Sequence, residues 1–358
     1  MRSAIIGSGF IANTHAQVLK SLGHELVAVV NPTLAHAEAF ARQWGAHAAL
    51  TDYHDAFTGE LDCVHICTPP TAHYSVIKAA LAAGIHVISE KPLCPDPAEA
   101  FELSQLAGEK NLVNAVNFNV RFHAACQQAQ KTITAPDFGN IHLIHGAYLQ
   151  EFHVLPAEFG WRYQPEIAGP MRATTEIGSH WLDLVRFWTG LEFIEVSANF
   201  GNFEPQRTLK DGVMSTIQAP ETEEITIDSE DAAVISLRFN NGAIGSLLLS
   251  EVSHGRSNRL SLEITSAEHS LWWNSEEPQQ LNQAQKFSGV NTQTLAFAGG
   301  FPETFQSGFE LIYADIENGQ PCEHPAYATF KDGAINAKIC DAIYQSAKHN
   351  ATWIPCRK

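Results

Sequence analysis

Along its first third the chain carries short apolar runs that do not alternate with polar residues: SAIIG (3–7), ELVAVV (25–30), DCVHIC (62–67), HVIS (86–89) and LVNAVN (112–117). A strand covered on both faces is apolar at every position, whereas a half-exposed strand alternates. Between these runs, residues 10–22, 33–44, 71–83 and 96–108 repeat their apolar positions three and four apart, the period of a helix packed on a sheet. Strand and helix in regular alternation predict an α/β domain with a parallel, doubly wound sheet and right-handed crossovers.

Beyond residue 122 the pattern changes. Residues 138–152 read as one long strand, and 232–252 as two strands around Asn241-Gly242, the dipeptide that tight hairpin turns favour. Residues 260–273 read as a second hairpin. Helical periodicity returns near 177–189, 302–318 and 331–347, while 204–229 is polar and irregular and is expected to be a loop or lid. The second part is therefore expected to be α+β with a mostly antiparallel open sheet.

Composition narrows the function classes. The 358 residues exceed what one small core organises, so two domains are expected. Hydrophobic residues at 45% and charged residues at 17% specify a packed protein. The net charge of −17 repels phosphate backbones and anionic lipid, so neither nucleic acid nor membrane is an expected partner. No apolar run approaches the roughly 20 residues that span a bilayer. The first strand begins too early to leave room for a leader, so a cytoplasmic protein is expected. Seven cysteines at irregular spacing, without a CxxC pair, suit free thiols in a reducing compartment better than a disulfide scaffold or zinc site.

Candidate chemistry begins at IIGSGFIANTHA. Gly7, Gly9 and Ala12 form a GxGxxA pattern between a strand and a helix. There the first glycine allows the turn, the second lets backbone approach a pyrophosphate, and the alanine brings helix to strand. Phe10 and Ile11 open the helix whose N-terminus would meet the phosphates. At the end of the second strand, where an acid usually binds the adenosine ribose, stands Asn31. It brings no charge against a 2′-phosphate, and no arginine follows at once to attract one. NAD and NADP stay open, with a tilt to NAD; alternatively, Asn31 only caps the next helix. Thr68 and Pro69 follow the 62–67 strand and are expected under the cofactor, with His73 behind them.

The strand ending at Ser89 runs into Glu90, Lys91 and Pro92, a charged pair on the ligand-binding edge. Lys91 is placed to hold a substrate hydroxyl as hydride leaves. Farther on, TTEIGSHWLDLV spaces Glu176, His180 and Asp183 at i, i+4 and i+7, one helix face. Histidine suits proton transfer near neutral pH. ExxxHxxD is not a tight metal-binding spacing, and no metal is expected. GWRY offers Trp161 and Arg162 for stacking and hydrogen bonding to a sugar ring, though Trp161 suits a core equally well.

Together these motifs resemble the glucose–fructose oxidoreductase / inositol dehydrogenase / rhizopine-catabolism (Gfo/Idh/MocA) family. NFNVRF, YLQEF, GWRYQPEIAGP, EIGSHWLDLVRFWTG and ATFKDGAINAKICDAI extend the resemblance over almost the whole chain. The resemblance implies a Rossmann domain at 1–122 and a substrate-binding and oligomerisation domain at 123–358, with helix 331–347 able to pack back on the first. It implies oxidation of a secondary hydroxyl of a sugar or polyol, or the reverse, with NAD or NADP. His180 would be the base, Glu176 would stand where similar members have aspartate, and Lys91 would hold the oxygen. Asn119 and Arg121 match the family's Asn-x-Arg. The expected cofactor set is Gly7, Gly9, Phe10, Ile11, Ala12, Asn31, Thr68, Pro69, His73, Glu90, Lys91 and Asn119. The expected substrate set is Lys91, Arg121, Trp161, Arg162, Glu176 and His180. A homo-oligomer, dimer or tetramer, is expected from the open sheet. Two alternatives on the same fold are a glycosidase using transient oxidation and a non-catalytic cofactor-sensing regulator.

Overall fold

The structure is a computed structural model and describes residues 1–218, 221–295 and 300–356. It divides into two compact units, 1–122 with 299–337 and 123–298 with 338–358.

The first unit is built on a six-stranded parallel sheet. Its strands are β1 (Arg2–Ile6), β2 (Glu25–Val30), β3 (Ala48–Leu50), β4 (Cys63–Ile66), β5 (His86–Ser89) and β6 (Asn114–Val116), in the spatial order β3-β2-β1-β4-β5-β6. The parallel, doubly wound reading is borne out. β3 escaped it, because three residues are too few to show a period. Strand order reverses between β1 and β4, and in such sheets ligands bind beyond the carboxyl ends of the strands at that point.

Both faces of this sheet are covered. Ile5, Val29, Cys63 and Ile88 face one layer, and Ala4, Ile6, Val64 and Val87 the other. The first layer holds Ala12, Ala16 and Leu19 of helix Phe10–Ser21 and Phe305, Phe309 and Tyr313 of helix Phe301–Glu317. That second helix comes from the segment 299–337, which joins the first unit although it follows the antiparallel strands in sequence. Helix Pro97–Glu109 begins where the EKPLCPD segment ends: Asp96 accepts a hydrogen bond from Ala98 N at 2.7 Å, and Pro97 occupies a position that needs no N–H partner.

Among its described residues the second unit carries thirteen strands in two sheets. They are β7 (Ile141–Leu149), β8 (Ala157–Glu158), β9 (Phe193–Gly201), β10 (Gln206–Lys210), β11 (Val213–Ser215), β12 (Glu223–Thr226), β13 (Ala232–Phe239), β14 (Ile244–Ser250), β15 (Arg259–Ser266), β16 (His269–Asn274), β17 (Gln280–Gln285), β18 (Gly289–Thr294) and β19 (Ile354–Pro355). The large sheet has nine, ordered β18-β17-β16-β15-β7-β14-β13-β9-β19. Every pairing in it is antiparallel except β7 with β14. The Asn241-Gly242 hairpin forms as expected between β13 and β14. Residues 204–229 are not a plain loop: β10, β11 and β12 join β8 in a four-stranded sheet, with residues 219–220 outside the described chain. Their stretches are short, and their alternation is masked by polar side chains. Met214 and Ile227 are buried there against Ala157 and Tyr163.

One face of the nine-stranded sheet receives helix Ser179–Thr189, which buries Trp181 and Trp188 completely. Trp181 Nε1 donates to Ser261 O on β15 at 3.0 Å. Gly146 on β7 makes room for this approach, since a methyl there would meet both Ser261 O and the indole nitrogen. Gly146→Ala is expected to lower folding stability by roughly 1–3 kcal/mol, the usual cost of overpacking a core. Denaturant unfolding followed by circular dichroism checks this; an unchanged midpoint would show that β15 and the indole yield freely.

Candidate active site

The glycine loop sits at the strand-order reversal. Gly7 adopts φ +107, and a β-carbon on it would come within 2.5 Å of Cys67 O at the end of β4. Positive φ and close backbone approach each exclude other residues there. Gly9 precedes helix Phe10–Ser21, which takes no side-chain cap and has no acid in its first turn. Its leading N–H groups are therefore suited to an anion. A β-carbon on Gly9 would meet nothing within 4 Å. Ala12 is fully buried, as close helix–strand packing requires, while Phe10 is 82% exposed and Ile11 half-buried.

A cleft of about 400 Å³ borders this loop, lined by Ser8, Gly9, Asn13, Asn31, His36 and Phe40 among others. Asn31 Nδ2 donates to Ser8 Oγ at 2.8 Å, and its Oδ1 accepts from Thr33 N at 2.8 Å. Asn31 thus ties the glycine loop to the end of β2 and fixes the turn at Thr33, but it does not cap the next helix, whose N-cap Thr33 carries no side-chain cap bond. Beyond β4, the Thr68 hydroxyl is buried and has no hydrogen-bond partner among the described residues. A buried hydroxyl without a partner calls for one. With the uncapped helix and the open space at Gly9, it makes this edge fit a dinucleotide.

His73 serves the edge indirectly. It is fully buried, with Nε2 at 2.9 Å from Thr68 O and Nδ1 at 2.9 Å from Pro92 O. Both ring nitrogens meet backbone carbonyls, so His73 staples the loop after β4 to the loop after β5. Glu90, expected to face a cleft, is turned inward and is 8% exposed. Its Oε1 meets His15 Nε2 at 3.0 Å and accepts from Asn117 Nδ2 at 2.6 Å; its Oε2 accepts from Lys91 N at 3.3 Å. Burial pushes this carboxyl up, but the bonds and charges of its neighbours, His15 foremost, outweigh burial and hold it below its ordinary value. Lys91 is half-buried, and its bond to Pro92 is cis. Asn119 is buried and donates to Thr304 Oγ1 at 2.9 Å; Arg121 is buried 4.0 Å from Asp332.

In the second unit, Thr174–Gly178 form a wider π-helical turn that runs directly into helix Ser179–Thr189. Glu176 lies on that turn, so it and His180 are not spaced along a regular α-helix as expected. Such turns recur at functional sites. Glu230 fastens this start: its carboxylate accepts from Arg172 N at 3.0 Å and Thr174 N at 2.8 Å. Arg162 Nε donates to Glu176 Oε2 at 2.7 Å, and the guanidinium lies 4.4 Å from the Trp161 ring centroid. The structure thus brings Trp161, Arg162 and Glu176 together. His180 and Asp183 are buried on the helix that follows.

Beside Glu176 lies a cluster the sequence reading missed. Arg172, fully buried, pairs with Asp231 and donates from Nε to Glu251 Oε2 at 2.7 Å. Arg207 Nη2 also donates to Asp231, at 3.1 Å. Asp231 thus takes both guanidiniums, Glu230 takes backbone N–H groups, and Glu251 shares Arg172 and lies 3.8 Å from His153 Nε2. Burial pushes Glu251 up from 4.5 to about 8; Arg172 opposes this and Glu176 adds to it. The available signal was the acid at each strand end, Glu230-Asp231 before β13 and Glu251 after β14, the same signal that drew attention to Glu90.

Residues 1–118 match the model of the Gfo/Idh/MocA oxidoreductase family with its NAD-binding Rossmann fold, and residues 126–271 match the Gfo/Idh/MocA C-terminal domain. The chain belongs to this family. Among relatives of this Gfo/Idh/MocA protein is the levoglucosan dehydrogenase of Pseudarthrobacter phenanthrenivorans, 32% identical over 386 aligned positions that span 98% of this chain and 96% of the relative. The D-glucoside 3-dehydrogenase of Escherichia coli is 31% identical over 252 positions, 68% of each chain. A solved levoglucosan dehydrogenase in complex with NADH and L-sorbose superposes with a TM-score of 0.90 at 26% identity, covering 100% of this chain and 99% of that one.

The raised Glu251 carboxyl carries a consequence for stability. Folded, it keeps its proton up to about pH 8; unfolded, it sheds it near 4.5. Its contribution is therefore fully present below the unfolded value and is lost as pH rises through that window. Glu251→Gln has no proton to lose. Thermal unfolding at several pH values is expected to show a shallower decline from about pH 6 to pH 8 in the variant than in the wild type. Parallel curves would mean that Glu251 is already ionised when folded.

Proposed function

We propose that the protein is an NAD-dependent dehydrogenase that oxidises a secondary hydroxyl of a sugar, polyol or sugar derivative to a ketone, or runs the reverse. The observation that carries this reading is the 32% identity with levoglucosan dehydrogenase across 98% of this chain. The motifs Glu90-Lys91-Pro92 and Gly178-Ser179-His180 support it.

Gly7, Gly9, Phe10, Ile11 and Ala12 would hold the dinucleotide's phosphates at the helix N-terminus, with Asn31 toward the adenosine side and Thr68, Pro69 and Asn119 along the carboxyl edge. The dinucleotide, when bound, supplies the hydride acceptor. NAD is favoured over NADP. Asn31 and Ser8 bring no charge to attract a 2′-phosphate, and the NADH complexes of levoglucosan dehydrogenase support the same choice.

Lys91 holds the substrate oxygen through its ammonium group, and His180 takes the hydroxyl proton. Glu176 assists His180 while paired with Arg162. Trp161 and Arg162 offer an aromatic face and a planar donor for a sugar ring, and Arg121 a further donor. A spectrophotometric screen of NAD⁺ and NADP⁺ over aldoses, inositols, anhydrosugars and sugar acids is expected to show reduction with one class and with NAD⁺. Free sugar released without net NADH would instead indicate a glycosidase, and no turnover a regulator. Lys91→Ala is expected to cut kcat by at least about 100-fold, within the range for a positioned acid or base, while NADH still binds by fluorescence titration. Loss of both, or of neither, overturns the role of Lys91.

We also propose a homo-oligomer formed on the open face of the large sheet. Val234 and Leu248, direct partners across β13 and β14, are 56% and 43% exposed. Four residues along β14 on the same face, Ile244 pairs with Leu143, at 59% and 37%. These exposed apolar pairs, with Ser236, Ser246 and His145 between them, favour an interaction surface. Val234→Glu with Leu248→Glu is expected to yield monomers in light scattering with an unchanged circular dichroism spectrum; a retained oligomer would place the interface elsewhere.

A further inference from the structure

Beneath the ligand edge of the first sheet runs an unbroken file of buried hydrogen bonds that the proposed chemistry does not use. Glu90 Oε1 lies 3.0 Å from His15 Nε2, and His15 Nδ1 lies 2.9 Å from His65 Nδ1. His65 Nε2 lies 2.8 Å from Tyr313 Oη, which lies 2.7 Å from Ser3 Oγ. Ser3, His15 and His65 are 0% exposed and Tyr313 2%. Phe309 sets its ring edge-on to both imidazoles, and Phe305 to that of His15. Hydrogen bonds walled by aromatic carbon are strong when complete and costly when broken.

The Glu90 end gives the file a direction. An ionised Glu90 only accepts, so His15 Nε2 carries the proton. On a neutral His15 ring Nδ1 is then bare and receives from His65 Nδ1–H. His65 Nε2 is then bare and receives from the Tyr313 hydroxyl, whose oxygen receives from Ser3. Tyr313 also hydrogen-bonds the Cys63 thiol, so the direction is set from the Glu90 end of the file and not from Ser3. Burial, then the neighbouring His15, keeps His65 well below the ordinary histidine range, in keeping with one proton on its ring.

We propose that this file is a tautomer lock that makes His15 a positioning residue for the Glu90–Lys91 turn, and through it for the reaction at Lys91. The proposal rests on the dehydrogenase reading above. His15 and Asn117 occupy one carboxylate oxygen, which leaves the other to the Lys91 N–H. Were His15 in its other tautomer, two lone pairs would face each other and the turn would lose its anchor. His65, Tyr313 and Ser3 hold the ring against that exchange.

The test has two arms. In the free protein with ¹⁵N-labelled histidine, long-range NMR correlations are expected to show His15 protonated at Nε2 and His65 at Nδ1. His15 protonated at Nδ1, or a mixture, overturns the lock. In the enzyme, His15→Gln still offers an N–H to Glu90, whereas His15→Leu only fills the space. His15→Gln is expected to keep a kcat about 2- to 30-fold above that of His15→Leu, the span usual for residues acting through a neighbour, with KM for NAD⁺ alike in both. Tyr313→Phe, which keeps the core ring, is expected to lower kcat within the same span. A merely structural histidine would let leucine match or exceed glutamine, because a well-packed apolar residue often replaces a buried polar one without loss; that result overturns the positioning role. Absence of turnover in the wild-type protein sinks the dehydrogenase reading instead, and the histidine spectrum then decides the lock by itself.

Discussion

A carboxylate cannot remain ionised at the end of a buried strand unless donors surround it, and the ligand edge of the first unit is organised around that constraint. β5 ends among strands covered on both faces, so Glu90 emerges into protein. Its donors come from three places in the chain: His15 on the first helix, Asn117 just after β6, and the backbone of Lys91 itself. Each donor fixes the element it comes from. The helix that begins at the glycine loop, the strand next to β5 and the turn bearing the lysine are thereby held to one atom group. His73 adds a second tie across the same edge by joining the carbonyls of Thr68 and Pro92. The loops that would contact a dinucleotide are thus set by buried polar contacts rather than by their own conformational preferences.

Much of this was legible in the sequence, for definite reasons. The strands of the first sheet are uninterrupted apolar runs, and β13–β14 carries the Asn-Gly turn that announces a hairpin. Gly7 and Ala12 were readable because only small residues satisfy that turn and that packing. What escaped has equally physical causes. β3 and β10 to β12 are three to five residues long and hold few apolar positions, so they show no period. The helix Phe301–Glu317 is plainly amphipathic, but nothing in its pattern says which sheet receives it. The π-helical turn at Thr174–Gly178 is invisible to spacing rules that assume 3.6 residues per turn.

The partners of buried polar groups were the least legible. His65 stood in plain view inside DCVHIC, a polar residue in an otherwise apolar buried run, and such a residue must find a partner. Its partners lie 50 residues before it and 248 after it, separations that no local pattern reports. Arg172 and Glu251 are likewise 79 residues apart. A single sequence can thus flag the residue that needs a partner, while only the fold names it.

Glu90 and Glu251 apply one rule with opposite results. Both are buried acids at the ends of strands, and desolvation acts on both alike. At Glu90 the bonded neighbours are His15, Asn117 and the Lys91 N–H, all donors to it, so the ionised form wins. At Glu251 the Arg172 guanidinium is shared with Asp231, and two further acids stand near, so the protonated form is favoured instead. The difference lies in the ratio of donors to carboxylates, not in depth of burial. It follows that the two sites respond oppositely to the loss of a neighbour. Removing a donor from Glu90 frees a charge with nowhere to go, whereas removing an acid from beside Glu251 relieves one already in excess.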